Sequence, residues 1–314
     1  MRCSGATARQ CLRRRLPPPR PVTGANAAGP RTQVWVPVIA ANEGAEAALT
    51  AFGGTAYNRR PTAVSRKNWG VMEEKKLIGR LPREAVRLLQ LPRLPAGVLD
   101  GFKALVDLTG TLSDALDELG IVGAIPASEL YPLNPGKRLV GPALTVRNLR
   151  HATQIHKAAQ DKASGQGESE AHNLAVPGDV LVIQGVVGCS NMGGQSATIG
   201  MRQGEAGAIV DGSIRDPDQY QAMGWPVWVR GVTPITGKWR MQTVEINGTV
   251  QIAGIQVNPG DIVCADNAGI CFVPHARAAE VLEAARKIDA GDTQRKHDID
   301  GGANVAELMR KKYK

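Results

Sequence analysis

Aromatic residues are scarce in this chain, 4 % of 314, and no run of 18 consecutive apolar residues occurs. No membrane-spanning helix is therefore expected, and the core must be built from aliphatic and small side chains. The five cysteines, Cys3, Cys11, Cys189, Cys264 and Cys271, form no CxxC pair and no zinc spacing with histidine. That excludes a disulfide framework or zinc knuckle and fits reduced thiols in the cytoplasm. Cys264 and Cys271 read as buried small hydrophobes, and Cys189 as an exposed thiol beside a glycine turn. His151, His156, His172, His275 and His297 show no metal-ligand spacing, so structural or exposed roles are expected of each. There is no GxGxxG and no P-loop, which argues against a nucleotide or methyl-donor site.

Net positive charge is also absent from most of the chain. The net charge is +9, but residues 1–70 carry 11 Lys/Arg against only Glu43 and Glu46, leaving 27 charges of each sign elsewhere. The total thus gives no support to a nucleic-acid-binding face on the folded body. Residues 1–71 read as an extension: translation beginning at Met72, a disordered tail, or an Arg-rich transit segment, in that order of preference. A helical segment is expected over 72–96, a main domain over 97–290 and a basic helical tail over 291–314.

What the chain has in abundance is glycine, 36 residues, and short apolar runs between turns. A charged helix is expected from Glu73 to about Gln90, split at Pro82, and another from Leu99 to Leu105. Thr109-Gly110-Thr111 predicts a break, with Thr111 or Ser113 capping a helix that closes at Gly120. Short strands are predicted at 139–146, 180–183, 208–210, 226–229, 262–264 and 270–273, and helices at 151–163, 218–223 and 276–289. Ser164 to Glu170 reads as a polar loop. Asn247-Gly248 predicts a hairpin between 244–246 and 250–252. The pattern is that of a mixed sheet packed on helices. Trp225, Trp228 and Trp239 are expected in the core or at subunit contacts. Asp114 reads as a helix-start residue, Asp211 as part of a strand exit and Arg147 as a solvated arginine.

The chain is organised around Gly193 to Asp216. A polar turn, Gly193-Gly194-Gln195-Ser196, precedes a small-residue segment and a strand that ends on Arg215-Asp216. An arginine can grip a carboxylate in a bidentate fork, an aspartate can hold a hard divalent cation, and a glycine turn can offer N–H groups to the same anion.

The order of motifs resembles the RraA-like family, which contains class II 4-hydroxy-4-methyl-2-oxoglutarate aldolases and RraA ribonuclease regulators. The matching pieces are Thr111-Leu-Ser-Asp-Ala-Leu116, Gly141-Pro-Ala-Leu-Thr-Val-Arg147, Pro177-Gly-Asp-Val-Leu-Val182 and Gly207-Ala-Ile-Val-Asp-Gly-Ser-Ile-Arg-Asp216. They continue through Trp225-Pro-Val-Trp-Val-Arg-Gly-Val-Thr-Pro234 and Pro259-Gly-Asp-Ile-Val263, and the resemblance covers roughly residues 97–290. Gly194, twenty intervening residues and then Arg215-Asp216 match the aldolase spacing.

The resemblance implies an α/β/β sandwich of the swivelling type with a mixed sheet, assembled as a homotrimer or hexamer with sites between subunits. It implies catalysis by Arg215 and Asp216, with Asp216 holding Mg²⁺ or Mn²⁺ and Arg215 binding a small 2-oxo acid. Gly193, Gly194 and the backbone of Gln195, Ser196, Ala197 and Thr198 would bind the pyruvyl carboxylate. The implied reaction is release of pyruvate from 4-hydroxy-2-oxo acids, such as 4-hydroxy-4-methyl-2-oxoglutarate and 4-carboxy-4-hydroxy-2-oxoadipate, with oxaloacetate decarboxylation by the same path. Such activity belongs to the catabolism of aromatic compounds. The other class in the family is a protein-binding regulator of ribonuclease activity. Two positions depart from the aldolase pattern: Gln195 and Gln219 stand where acids are usual. These departures leave the proton-transfer side chains unassigned, and a metal-bound water or hydroxide is the expected acceptor of the substrate hydroxyl proton.

Overall fold

The apolar run Val180–Ile183 has no polar face, as expected of a strand covered on both sides, and it lies at the centre of the sheet. The computed structural model describes residues 75–313. In chain order its elements are α1 (Ala96–Ala104), α2 (Leu108–Glu118), β1 (Ala124–Pro126), β2 (Tyr131–Pro132), β3 (Leu139–Arg150), α3 (Ile155–Gln160), α4 (Glu168–Leu174), β4 (Val180–Gln184), α5 (Gly194–Gln203), β5 (Gly207–Ile214), α6 (Pro217–Met223), β6 (Val227–Val232), β7 (Met241–Ile246), β8 (Val250–Ile252), β9 (Ile255–Val257), β10 (Ile262–Ala265), β11 (Gly269–Val273), α7 (Ala278–Asp300) and α8 (Val305–Arg310).

The main sheet has the order β1-β11-β10-β3-β4-β5-β6-β2, with β7 attached to β3. Strands β3, β4, β5 and β6 are parallel. β3 joins the two halves: Leu139–Pro142 pair antiparallel with β10, and Ala143–Arg147 pair parallel with β4. Side chains alternate along the strands. Leu181, Ile183, Ala208 and Val210 pack with Ala171 of α4 and Ala197 of α5. Val180, Val182 and Ile209 turn the other way, onto Trp228, Val263 and Phe272. On β10 and β11, Cys264, Cys271 and Val273 lie under Phe102, Leu112 and Leu282 of α1, α2 and α7. The mixed α/β architecture expected from the sequence is the one observed.

Several local expectations are corrected. Residues 75–90 carry only a short 3-10 turn at Arg83–Ala85. Leu81, Val86 and Leu91 instead lay this stretch over the core as a strap, and Val86 bridges Ile246. Helix α2 starts at Leu108, because the Asp107 side chain caps it by accepting from Gly110 N–H; Thr109–Thr111 are helical, not a break. Gly120 does end that region, with φ 64°. The helix predicted over 151–163 shortens to α3, while α7 extends to Asp300 and the tail holds only the short α8. The Asn247-Gly248 hairpin does not form. Asn247 N–H bonds to Thr145 O, tying the end of β7 to β3, and β8 pairs with β9. Cys189 is buried, and burial raises its thiol pKa. The expectations for residues 1–71 lie outside the described residues. Among the described residues, no helix is long and apolar enough to cross a membrane.

Candidate functional site

Ligands of open parallel sheets bind beyond the carboxyl ends of the strands, and here the loops after β4 and β5 meet at that edge. The loop after β4 is pinned by buried Asn191. Its Oδ1 accepts Val186 N–H at 2.8 Å, and its Nδ2 donates to Val186 O at 2.9 Å and Ser213 O at 3.1 Å. The loop then runs along the end of β5: Asn191 N–H bonds Ser213 O at 2.8 Å and Arg215 N–H bonds Met192 O at 3.1 Å. These bonds bring Gly193 and Gly194 opposite Arg215 and Asp216.

The segment read as a polar turn is the start of a helix: Gly193 is the N-cap of α5. Gly194 N–H donates to Asp216 Oδ2 at 3.1 Å. A Cβ on Gly193 would come 2.8 Å from that oxygen, and one on Gly194 would come 1.8 Å from Gln219 Oε1. The glycine pair is what lets the starts of α5 and α6 meet. Asp216 itself is left-handed, φ 64° and ψ 49°, a conformation aspartate tolerates better than most residues. Its Oδ1 is 3.3 Å from Arg215 Nε.

Gly193, Arg215 and Asp216 line a cavity of about 370 Å³ with Gln166, Glu168, Ser190, Gln195, Ser196, Gln219, Thr236 and Lys238. The first amides of a helix lack intrahelical acceptors, so those of Gln195 and Ser196 are available to an anion there. Two expected contributors are corrected. Ala197 packs into the core and its N–H is already bonded to Gly193 O. Thr198 turns its hydroxyl back to Gly194 O at 2.8 Å and does not line the cavity.

Glu168 was hidden from sequence reading, because it sits in the stretch read as a polar loop. It is the first residue of α4 and faces the cavity. Desolvation raises its carboxyl pKa, opposed by a main-chain hydrogen bond and the positive charges of Arg80 and Lys238. Tyr220 runs beneath the site; burial first, then the charges of Asp216 and Glu168, keep its phenol protonated. Asp211 points elsewhere, pairing with Arg230 and accepting Ala253 N–H at 2.7 Å. Arg147 pairs with Glu245 at 3.1 Å. Trp225 and Trp228 are buried in the core. His172, expected in a structural or exposed role, is fully buried between Ser196 and Glu205.

The Aldolase/RraA family model matches residues 109–272. The chain belongs to the RraA-like family. A Halalkalibacterium halodurans relative provisionally named 4-hydroxy-4-methyl-2-oxoglutarate aldolase is 32 % identical over 195 residues, covering 61 % of this chain and 84 % of the relative. Protein DlpA of Legionella pneumophila is 29 % identical over 64 % of this chain, which spans 32 % of DlpA's length. Among solved structures, an uncharacterized protein from Pseudomonas syringae superposes with TM-score 0.59 and 28 % identity, over 69 % of this chain and 99 % of its own. Streptomyces coelicolor RraAS2, an unusual member of the RNase ES inhibitor RraA family, superposes with TM-score 0.55 and 26 % identity, over 67 % of this chain and 98 % of its own. The matched region contains every residue described above for the cavity.

Proposed function

We propose that this RraA-like chain is a carbon–carbon lyase that releases pyruvate from 4-hydroxy-2-oxo acids and decarboxylates oxaloacetate. The observation that carries the reading is the meeting of Arg215 and Asp216 with the glycine start of α5 in one polar cavity. Arg215 grips the carboxylate of the 2-oxo acid in a two-pronged charge-assisted bond. The Gln195 and Ser196 amides hold the negative oxygen that develops as the pyruvate enolate forms. Glu168, whose carboxyl pKa desolvation raises, supplies the proton to the enolate carbon.

A hard divalent cation, Mg²⁺ or Mn²⁺, fits the donor chemistry. Asp216 offers a partly exposed carboxylate and Gln219 an amide oxygen at the same wall. No cluster of three or more His, Cys, Asp or Glu side chains able to hold a metal gathers among the described residues. Water and substrate oxygens would complete the shell, as magnesium commonly allows. Such an ion would polarise the 2-oxo group and lower the cost of the enolate. By family resemblance the chain assembles as a trimer or hexamer with sites between subunits.

The test is pyruvate release over a panel of 4-hydroxy-2-oxo diacids and oxaloacetate, with and without a chelator. Turnover should cease with chelator and return with added Mg²⁺. Release indifferent to chelator would remove the cation from the reading, and no release from any panel member would remove the lyase. A protein-binding regulator is the second reading, favoured by the likeness to RraAS2; tight binding to a ribonuclease without pyruvate release would establish it.

Glu168→Gln is expected to lower turnover of both substrate types about a hundredfold. Because the folded pKa of Glu168 is raised, its contribution to stability is complete below the ordinary carboxylate value. That contribution is lost as pH rises through the folded value. Activity should fall over the same window. Melting curves of the Glu168→Gln variant should lack this component of the decline; an unchanged pH dependence would contradict the assignment.

A further inference from the structure

Behind the cavity wall stands a line of three side chains that the reaction above does not use. Ser196 Oγ is 2.8 Å from His172 Nε2, and His172 Nδ1 is 2.7 Å from Glu205 Oε1. The three come from different places: Ser196 from the first turn of α5, His172 from α4, and Glu205 from just beyond the left-handed Gly204 that ends α5. His172 and Glu205 are buried, and Ser196 lines the cavity. With Glu205 accepting Nδ1–H, Nε2 is left to accept the Ser196 O–H. A carboxylate that fixes an imidazole tautomer in this way also fixes the orientation of the ring.

We propose that Ser196, backed by His172 and oriented through Glu205, is the base that removes the hydroxyl proton of a 4-hydroxy-2-oxo acid. The inference rests on the lyase reading and supplies the side-chain base which that reading leaves unassigned. The substrate O–H gives its proton to Ser196 Oγ while the Ser196 proton passes to His172 Nε2. The oxygen lone pair then forms the new carbonyl, the C3–C4 bond breaks, and its electron pair goes to C3 as the pyruvate enolate. Glu168 protonates C3. The His172 imidazolium returns its extra proton through Ser196 Oγ to water, and water reprotonates Glu168, so the cycle closes without a net proton.

Geometry favours a relay over a serine nucleophile. His172 has no exposed surface. It reaches the cavity through Ser196 Oγ and cannot hand a proton to a leaving group, as an acyl-serine mechanism requires.

Oxaloacetate has no hydroxyl to deprotonate, which separates this role from general damage to the site. Ser196→Ala keeps the main-chain amide and removes the relay. It should lower kcat for cleavage of 4-hydroxy-4-methyl-2-oxoglutarate about a hundredfold relative to kcat for oxaloacetate decarboxylation, with KM for the cleaved substrate changed far less. His172→Gln should shift the ratio in the same direction, and Ser196→Thr, which retains a hydroxyl, should recover part of it. Melting temperatures are read alongside. An unchanged ratio in folded Ser196→Ala protein would overturn the relay, whether both activities fall together or neither does. Covalent labelling of Ser196 by a fluorophosphonate would overturn it in favour of a nucleophile. Wild-type protein that decarboxylates oxaloacetate but cleaves no hydroxy acid overturns the relay while sparing the enolate chemistry. Wild-type protein with neither activity defeats the lyase reading, and the relay with it.

Discussion

Arg215→Ala is expected to lower kcat/KM for pyruvate release by about a hundred- to a thousandfold, the usual cost of removing one partner of a close charge pair, here with the substrate carboxylate. The side chain is suited to this because Arg215 N–H is tied to Met192 O, which holds the end of β5 against the loop that carries the glycine pair. Arg215→Lys should recover only part of the loss, since an ammonium cannot make the paired fork. Stability should barely change. The Arg215–Asp216 contact at 3.3 Å is partly exposed, and pairs of that kind contribute about 0–1 kcal/mol. Full chelator-sensitive turnover by Arg215→Ala would end the site assignment.

Trp228→Ala should have the opposite signature, a large loss of stability with the cavity unaltered. Trp228 is fully buried on β6, in the apolar layer shared with Val182, Val263 and Phe272. Its Nε1 donates to Asp266 O at 2.9 Å. Removing the indole leaves a hole and an unanswered carbonyl, costing about 3–5 kcal/mol, or about 10 °C in melting temperature for a unit of this size. Trp228→Phe, which keeps most of the volume, should cost far less, on the order of the lost hydrogen bond, about 1 kcal/mol. Chemical denaturation midpoints measured beside the melts would check both. A shift below about 2 °C for the alanine variant would mean that the two halves of the sheet close over the hole.

Some of this was legible residue by residue. The continuous apolar runs at Val180–Ile183 and Ile270–Val273 announced buried strands, and both are strands. The adjacency of Arg215 and Asp216 behind the strand beginning at Gly207 placed two charges at one strand end. Other signals were outweighed. Gly193-Gly194 looked like a turn because glycine is a poor helix former, yet both open a helix, since any larger side chain there would strike Asp216 or Gln219. Asn247-Gly248 carried the strongest hairpin signal in the chain. It lost because β7 found its hydrogen-bonding partner in β3, and the turn passed to Ala253-Gly254, where φ is 47° and 85°.

The sequence by itself determined the apolar strands and the neighbouring Arg215 and Asp216, because alternation, burial and adjacency are local properties. Only the tertiary structure decided that Glu168 faces the cavity and that Ser196, His172 and Glu205 form a line. Those residues come from separate segments, and no spacing along the chain records a meeting made by packing α4 and α5 on the same face of the sheet.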